Sequence, residues 1–232
     1  MTRTFFGNEK AEIDSLCYEF LKKYSKRDIL DAANRFKWGK KSTKDSKKER
    51  EEVSDKFRFW ISQGCPLTEA QEYADLVMRW GFGRNSPPSL SKDLQSFCDL
   101  ISSWNKHENA SDMQDLLAKN LKLFGIGIAR SSKWLCFVDP EKFCIYDSRV
   151  AITLRELGDG GGRTFPTVGR MQTKRISHFP TPNVRTPENM ALDYCKFLDL
   201  ISAVKFEFRV DSVSEIEMGL FMLGDNPSIW MK

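Results

Sequence analysis

Two glycines flanking one apolar residue, in Leu123-Phe-Gly-Ile-Gly-Ile-Ala-Arg130, interrupt a long run of helical apolar spacing. Without Cβ atoms, Gly125 and Gly127 let the chain take positive φ and turn sharply. The spacing predicts a helix from Ser111 or Asp112 to about Leu121, a tight hairpin, and a second helix over about Ile128–Val138. Ile126 is expected to plug the turn into the core. The N–H groups that open the second helix then point outward with the positive end of its dipole, a geometry suited to phosphate. Arg130 adds a charge-assisted contact there. Taken alone, the same pattern also suits simple close packing of two helices.

The rest of the chain reads as mostly helical. Glu9–Tyr24 carries Ile13, Leu16, Cys17, Phe20 and Leu21 on one face. Ser25 is expected to cap a helix over Lys26–Trp38. A charged stretch over Gly39–Glu49 leads to a helix ending near Trp60, and Thr68 caps the next, through Trp80. Gly81-Phe-Gly-Arg-Asn-Ser-Pro-Pro-Ser89 then breaks the pattern, and Leu90–Trp104 resumes it. After the hairpin, Asp147 is expected to cap Ser148–Leu157, and Pro187 to open a helix ending at Val204. Lys205–Val210 reads as a short strand or an extended link, and a last helix starts at Asp211 or Ser212. The segment 158–186 between these helices forms a long loop, and a loop of that length is often functional.

Composition narrows the function classes. No stretch of about eighteen apolar residues exists, so no membrane span is expected. The N-terminus has no apolar region of secretory type, which makes a cytoplasmic location the default expectation. Six cysteines are scattered without Cys-x-x-Cys or zinc-finger spacing and read as buried free thiols. Two histidines, His107 and His178, give poor support to a histidine metal site or a Ser-His-Asp triad. The net charge of +4 is modest but uneven. Arg35–Arg50 holds eight basic residues against two acids, and Arg163–Thr186 five against none. Local basic surfaces on a nearly balanced chain suit a polyanion.

Asp147 changes the weight of the hairpin. The apolar segment Phe143-Cys-Ile-Tyr146 delivers it firmly to the start of a helix, eighteen positions after Ala129. A helix-capping aspartate alone means only capping. Together, Leu123-Phe-Gly-Ile-Gly127 and Tyr146-Asp-Ser-Arg-Val150 resemble the helix-hairpin-helix DNA glycosylases. Their signature is a Leu-x-Gly-Val/Ile-Gly hairpin, a helix, then an aspartate in a Val-Asp-x-x-Val context.

The resemblance implies a mainly α, oxoguanine-glycosylase-like fold in one domain, 1–232. Two helical lobes, about 1–110 and 111–232, would flank a DNA-binding cleft, with the hairpin at 112–138. It implies that Asp147 is catalytic, supporting departure of a flipped base by opposing positive charge on the sugar. Bifunctional members carry a lysine where this chain has Ala129, so water is the implied nucleophile and an abasic site the product. Lys133, one turn further on, is read as a surface lysine or phosphate contact, and no borohydride-trapped adduct is expected. Only Cys195 lies beyond Cys144, so the four-cysteine iron–sulfur cluster of some members is absent, and no metal or cofactor is expected.

The expected DNA contacts are Gly125, Gly127, Ile128, Arg130 and Lys133, with Arg163, Arg170, Lys174 and Arg175 from the basic loop. Arg84 and Asn85 are wedge candidates for the gap left by the flipped base. Trp80, Phe82 and Tyr146 are pocket candidates. The expected partner is double-stranded DNA carrying a modified base, bound by a monomer. Small members of the superfamily remove 8-oxoguanine, alkylated bases, or glucosylated hydroxymethylcytosine from phage DNA in antiviral defence. The long loop and the missing lysine favour the last, with an oxidised or alkylated purine as the alternative. A noncatalytic helix-hairpin-helix DNA-binding protein is the competing reading from another class.

Overall fold

The computed structural model describes residues 4, 6–39, 41–82, 94–104, 110–124, 127–154, 157 and 186–224. Among these the protein is all-α, with ten helices and no strand. They are α1 (Lys10–Lys23), α2 (Lys26–Ala33), α3 (Thr43–Ser62), α4 (Ala70–Phe82), α5 (Leu94–Trp104), α6 (Ala110–Phe124), α7 (Ile128–Val138), α8 (Ser148–Leu154), α9 (Pro187–Phe208) and α10 (Val213–Gly224). No helix among the described residues is long and apolar enough to cross a membrane.

Short polar residues set several helix starts. Ser25 and Asp28 form a reciprocal capping box at α2: each side chain accepts the other residue's amide, at 3.1 Å in both directions. Ser42 caps α3, and Thr186 caps α9 with Pro187 in its first turn. At α10, Ser212 Oγ accepts from the Ser214 amide at 3.1 Å.

Three helix boundaries depart from the sequence reading: α3 begins at Thr43, inside the charged stretch expected to precede it, and two helix ends move. The second helix stops at Ala33 rather than Trp38, because tertiary partners claim Trp38. The Trp38 amide donates to Ser46 Oγ at 2.8 Å, its indole N–H donates to the Trp80 carbonyl at 2.6 Å, and its ring stacks on Trp80. Conversely, α9 continues through Phe208, so Lys205–Val210 is neither strand nor link over its helical part. Val204 and Phe208 lie one turn apart on the same buried face, and Phe208 packs against Phe20. The chain then leaves α9 through Arg209 at φ +50°.

The buried apolar side chains form one connected cluster from Phe6 to Phe221. Helix α7 runs through its middle: every residue from Ser131 to Val138 is buried, and the helix packs against α3, α4, α5, α6 and α9. Around it, α10 packs on α2 and α8, while α9 packs on α1 and α6. Enclosing a Trp or Phe here stabilises the fold by roughly 1.5–3 kcal/mol per side chain. All six cysteines are buried, and none is in a disulfide among the described residues.

The N-terminus is tied to the same body. Thr4, the Phe6 amide and the Asn8 side chain all donate to the buried carboxylate of Asp199 on α9.

Candidate functional site

The site is built on the first turns of α7 and α8. Gly127 is the N-cap of α7, and its carbonyl accepts from the amides of Arg130 at 3.0 Å and Ser131 at 3.3 Å. The amides at the very start of the helix have no carbonyl ahead of them. Gly127 has φ −78° and ψ 162°, not the expected positive φ, so its backbone suits any residue. No described residue lies within 4 Å of where its Cβ would be, and the residue is exposed. Packing among the described residues therefore does not demand glycine at 127. The side chain of Ile128 is buried, which leaves backbone as its outward-facing part. Gly125 and Ile126 lie outside the described residues.

Asp147 stands at the end of a buried extended segment. Phe143, Cys144, Ile145 and Tyr146 are all enclosed, and the Tyr194 hydroxyl donates to the Cys144 carbonyl at 2.8 Å. The Tyr146 amide donates to Ser132 Oγ at 3.1 Å. That bond ties the segment directly to α7, and Ser132 was not singled out in the sequence. Asp147 itself is 7% exposed. Its Oδ1 accepts from the amides of Arg149 at 2.9 Å and Val150 at 3.2 Å, which caps α8. Among the described residues, no donor reaches Oδ2.

The far side of α8 is braced by α10. A Cβ at Gly224 would lie 2.1 Å from the Arg149 carbonyl oxygen, so only glycine permits this approach. Thr153 Oγ1 donates to the Leu220 carbonyl at 2.9 Å in the same contact.

Lys133 differs most from its expected place. It is 2% exposed, not a surface lysine, and its burial takes it away from a phosphate backbone. Helical side chains slant toward the N-terminus, and Lys133 Nζ accordingly donates back to the Ala129 carbonyl at 3.0 Å. The same ammonium lies 4.7 Å from the centre of the Phe82 ring, and the Arg130 guanidinium lies 5.8 Å from it. Gly81 was expected to end its helix, yet it lies inside α4. A Cβ there would stand 2.4 Å from Lys133 Cδ, so the glycine makes room for the lysine stem. Burial pushes the Lys133 amine below its ordinary value, while the charges of Asp147 and then Glu217 oppose that shift.

Behind this pair lies a second one. Arg50 of α3 and Glu217 of α10 form a buried salt bridge, and Arg50 also donates to Cys136 Sγ at 3.2 Å. Burial raises the Glu217 carboxyl above the usual carboxylate range, with Arg50 pulling against it. Neither residue was anticipated. The available signal was a charged residue at an apolar position of each helical pattern. A cleft of about 380 Å³ opens nearby between α3, α7 and α10, but Asp147 does not line it.

Two pocket candidates turn out to be core residues. Trp80 is buried against Trp38 and, edge-on, Phe137. Tyr146 is buried against Phe197. Phe82 is half-buried and stays beside Arg130 and Lys133. Arg84, Asn85, Arg163, Arg170, Lys174, Arg175, His107 and His178 lie outside the described residues. No group of three or more His, Cys, Asp or Glu among the described residues is placed to hold a metal ion.

Comparison with models of known protein families, with curated proteins and with solved structures finds no match to this chain.

Proposed function

We propose that this protein is a monofunctional DNA glycosylase that flips a modified base and hydrolyses its N-glycosidic bond, leaving an abasic site. One observation carries the reading. Asp147 is enclosed, its Oδ1 is locked by two backbone amides, and Oδ2 takes no donor among the described residues. A carboxylate so held is preorganised to oppose positive charge developing on a sugar, with little screening by water. The Ser132 bond to the Tyr146 amide couples that carboxylate to α7. The space at the Gly127 Cβ position, clear of the described residues, supports close approach of a phosphate to the start of the same helix. The absence of a lysine at position 129 supports water as the nucleophile.

The substrate we favour is glucosylated hydroxymethylcytosine in phage DNA, with antiviral defence as the role. An oxidised or alkylated purine, and a repair role, is the second choice. The partner is double-stranded DNA and the acting species a monomer.

The test is mass spectrometry of bases released from phage, oxidised and alkylated DNAs, paired with alkali-labile strand breakage. Release from one substrate, lost in Asp147→Asn while DNA binding persists, is the expected result. If no substrate yields abasic sites although DNA is bound, the chain is a noncatalytic helix-hairpin-helix DNA-binding protein.

A further inference from the structure

The basic stretch Arg35–Arg50 plays no part in the Asp147 site, and its last turn opens on a cavity. Lys47, Arg50 and Ser54 lie along one face of α3. With Cys136 and Phe137 of α7 and Met218 of α10 they line the cleft of about 380 Å³. Arg50 is 8% exposed and Ser54 7%. Each carries an enclosed polar atom with no hydrogen-bond partner among the described residues, Arg50 Nη1 and Ser54 Oγ. Glu217 and Cys136 hold the other amino group, Nη2, so the guanidinium is fixed while its Nη1 donors are left over. A serine inside a helix can satisfy its hydroxyl on the carbonyl one turn back, but Ser54 does not. An enclosed donor without an acceptor is costly, most of all on a charged group. An occupant of the cleft that brings an acceptor oxygen removes that cost.

We infer that this cleft binds a small organic acid, one carboxylate on an apolar body, with the carboxylate held by Arg50, Ser54 and Lys47. The charge balance points to a single negative charge. Arg50 is matched by Glu217, Arg58 by Asp55 at 2.8 Å, and Glu141 by Lys205 at 3.6 Å. Lys47 and Glu51 remain without an ion pair among the described residues. Lys47 is half-buried, whereas Glu51 is exposed and screened by water. One spare cation matches one carboxylate; a phosphate dianion would leave a charge uncompensated beside Glu51 and Asp55. The remaining walls, Phe137, Pro140 and Met218, suit an apolar body, and the volume falls in the range of small-molecule sites. Neither orphan atom touches bulk water, so seating the carboxylate takes a side-chain adjustment, for Ser54 a χ1 rotation between staggered positions. The bonds then form with little screening. The cleft is separate from Asp147, and the inference stands independently of the glycosylase reading.

The test uses NMR of the full chain labelled with ¹³C-methyl methionine, the Met218 signal being assigned by its loss in Met218→Leu. Benzoate, 3-methylbutanoate and indole-3-acetate are titrated in turn. At least one should shift the Met218 signal saturably, with a Kd on the order of 1 mM or tighter. The amide of the best-binding acid keeps the body and loses the charge; inorganic phosphate keeps charge and has no body. Each should bind at least about tenfold more weakly than that acid. Failure of all three acids to saturate overturns the proposal. So does binding of the amide or of phosphate as tight as that of the best acid.

Variants locate the carboxylate. Lys47→Met should weaken binding on the order of tenfold, and Ser54→Ala by about three- to tenfold. Arg50→Met combined with Glu217→Leu leaves no enclosed charge uncompensated and should abolish the Met218 shift with the helical circular-dichroism signal intact. A retained shift in that folded double variant overturns the proposal. Wild-type affinity in both Lys47→Met and Ser54→Ala overturns it as well, whether or not the double variant folds. Base release from DNA enters none of these measurements, so failure of the glycosylase reading leaves their outcome unchanged.

Discussion

Lys133 of α7 runs past Gly81 of α4 so closely that a methyl group at 81 would lie 2.4 Å from its Cδ. A charged side chain is thereby used as a packing element between the hairpin helix and the helix that leads toward the wedge candidates. Gly81→Ala tests the contact. On an open helix this change stabilises by about 0.8–1 kcal/mol through propensity. Here it should destabilise by about 1–3 kcal/mol through overpacking. Urea unfolding of Gly81→Ala, Lys133→Ala and the double variant should show the loss largely relieved in the double variant.

Asp147→Asn separates capping from chemistry. Asparagine is as good an N-cap as aspartate, so the capping contribution to stability should be retained. Base release should fall by at least about a hundredfold. Asp147→Ala should add a stability loss of about 1 kcal/mol, because the Arg149 and Val150 amides then lose their acceptor. Thermal melts beside alkali-labile cleavage distinguish the two effects.

The Arg50–Glu217 pair predicts an asymmetry. Glu217→Ala leaves Arg50 enclosed without its partner and should cost about 3–5 kcal/mol. Replacing both by apolar residues, as in Arg50→Met with Glu217→Leu, should cost much less, because no uncompensated charge remains. Chemical denaturation of the three variants decides this.

Lys133 also has a signature in stability against pH. Its folded pKa is lowered, so between that value and its ordinary value near 10.5 the unfolded chain binds more protons than the folded one. Its penalty is complete below the lowered folded value and is relieved as pH rises through the window. Lys133→Met should therefore be more stable than wild type at neutral pH, with the difference shrinking toward pH 10.5. A difference that stays constant across that range contradicts the assignment.

The cysteines should be inert in the native state. Burial pushes the thiols of Cys17, Cys98 and Cys136 up to about 11, and raises those of Cys144 and Cys195 as well. A thiol at 11 is about one part in a thousand thiolate at pH 8, and enclosure restricts access further. Alkylation at pH 8 should track unfolding, with no rapid native phase.

Local chemistry carried most of the element map. Ser25, Thr186-Pro187 and Ser212 mark helix starts by short-range hydrogen bonds, and α7 spans Ile128–Val138 as the apolar spacing predicts. The start of α3 was misread although a local Ser42–Asp45 cap decides it; the misread ends are those that distant residues decide. Trp38 leaves its helix for Ser46 and Trp80, and Phe208 extends α9 because Phe20 waits for it. Aromatic residues were the least legible part of the site. Trp80 and Tyr146 have the right composition for a pocket, but their partners Trp38 and Phe197 enclose them.

The sequence alone determined that this chain is helical, where its short polar caps lie, and that Asp147 follows an apolar segment into a helix start. Those properties depend on neighbours a few residues apart. Only the tertiary structure decided that Lys133 is enclosed, that Gly81 and Gly224 are spacers, and that Arg50 meets Glu217 across 167 positions of chain. A side chain's charge is written in its identity. Its solvation is not: that is set by which other helices close over it.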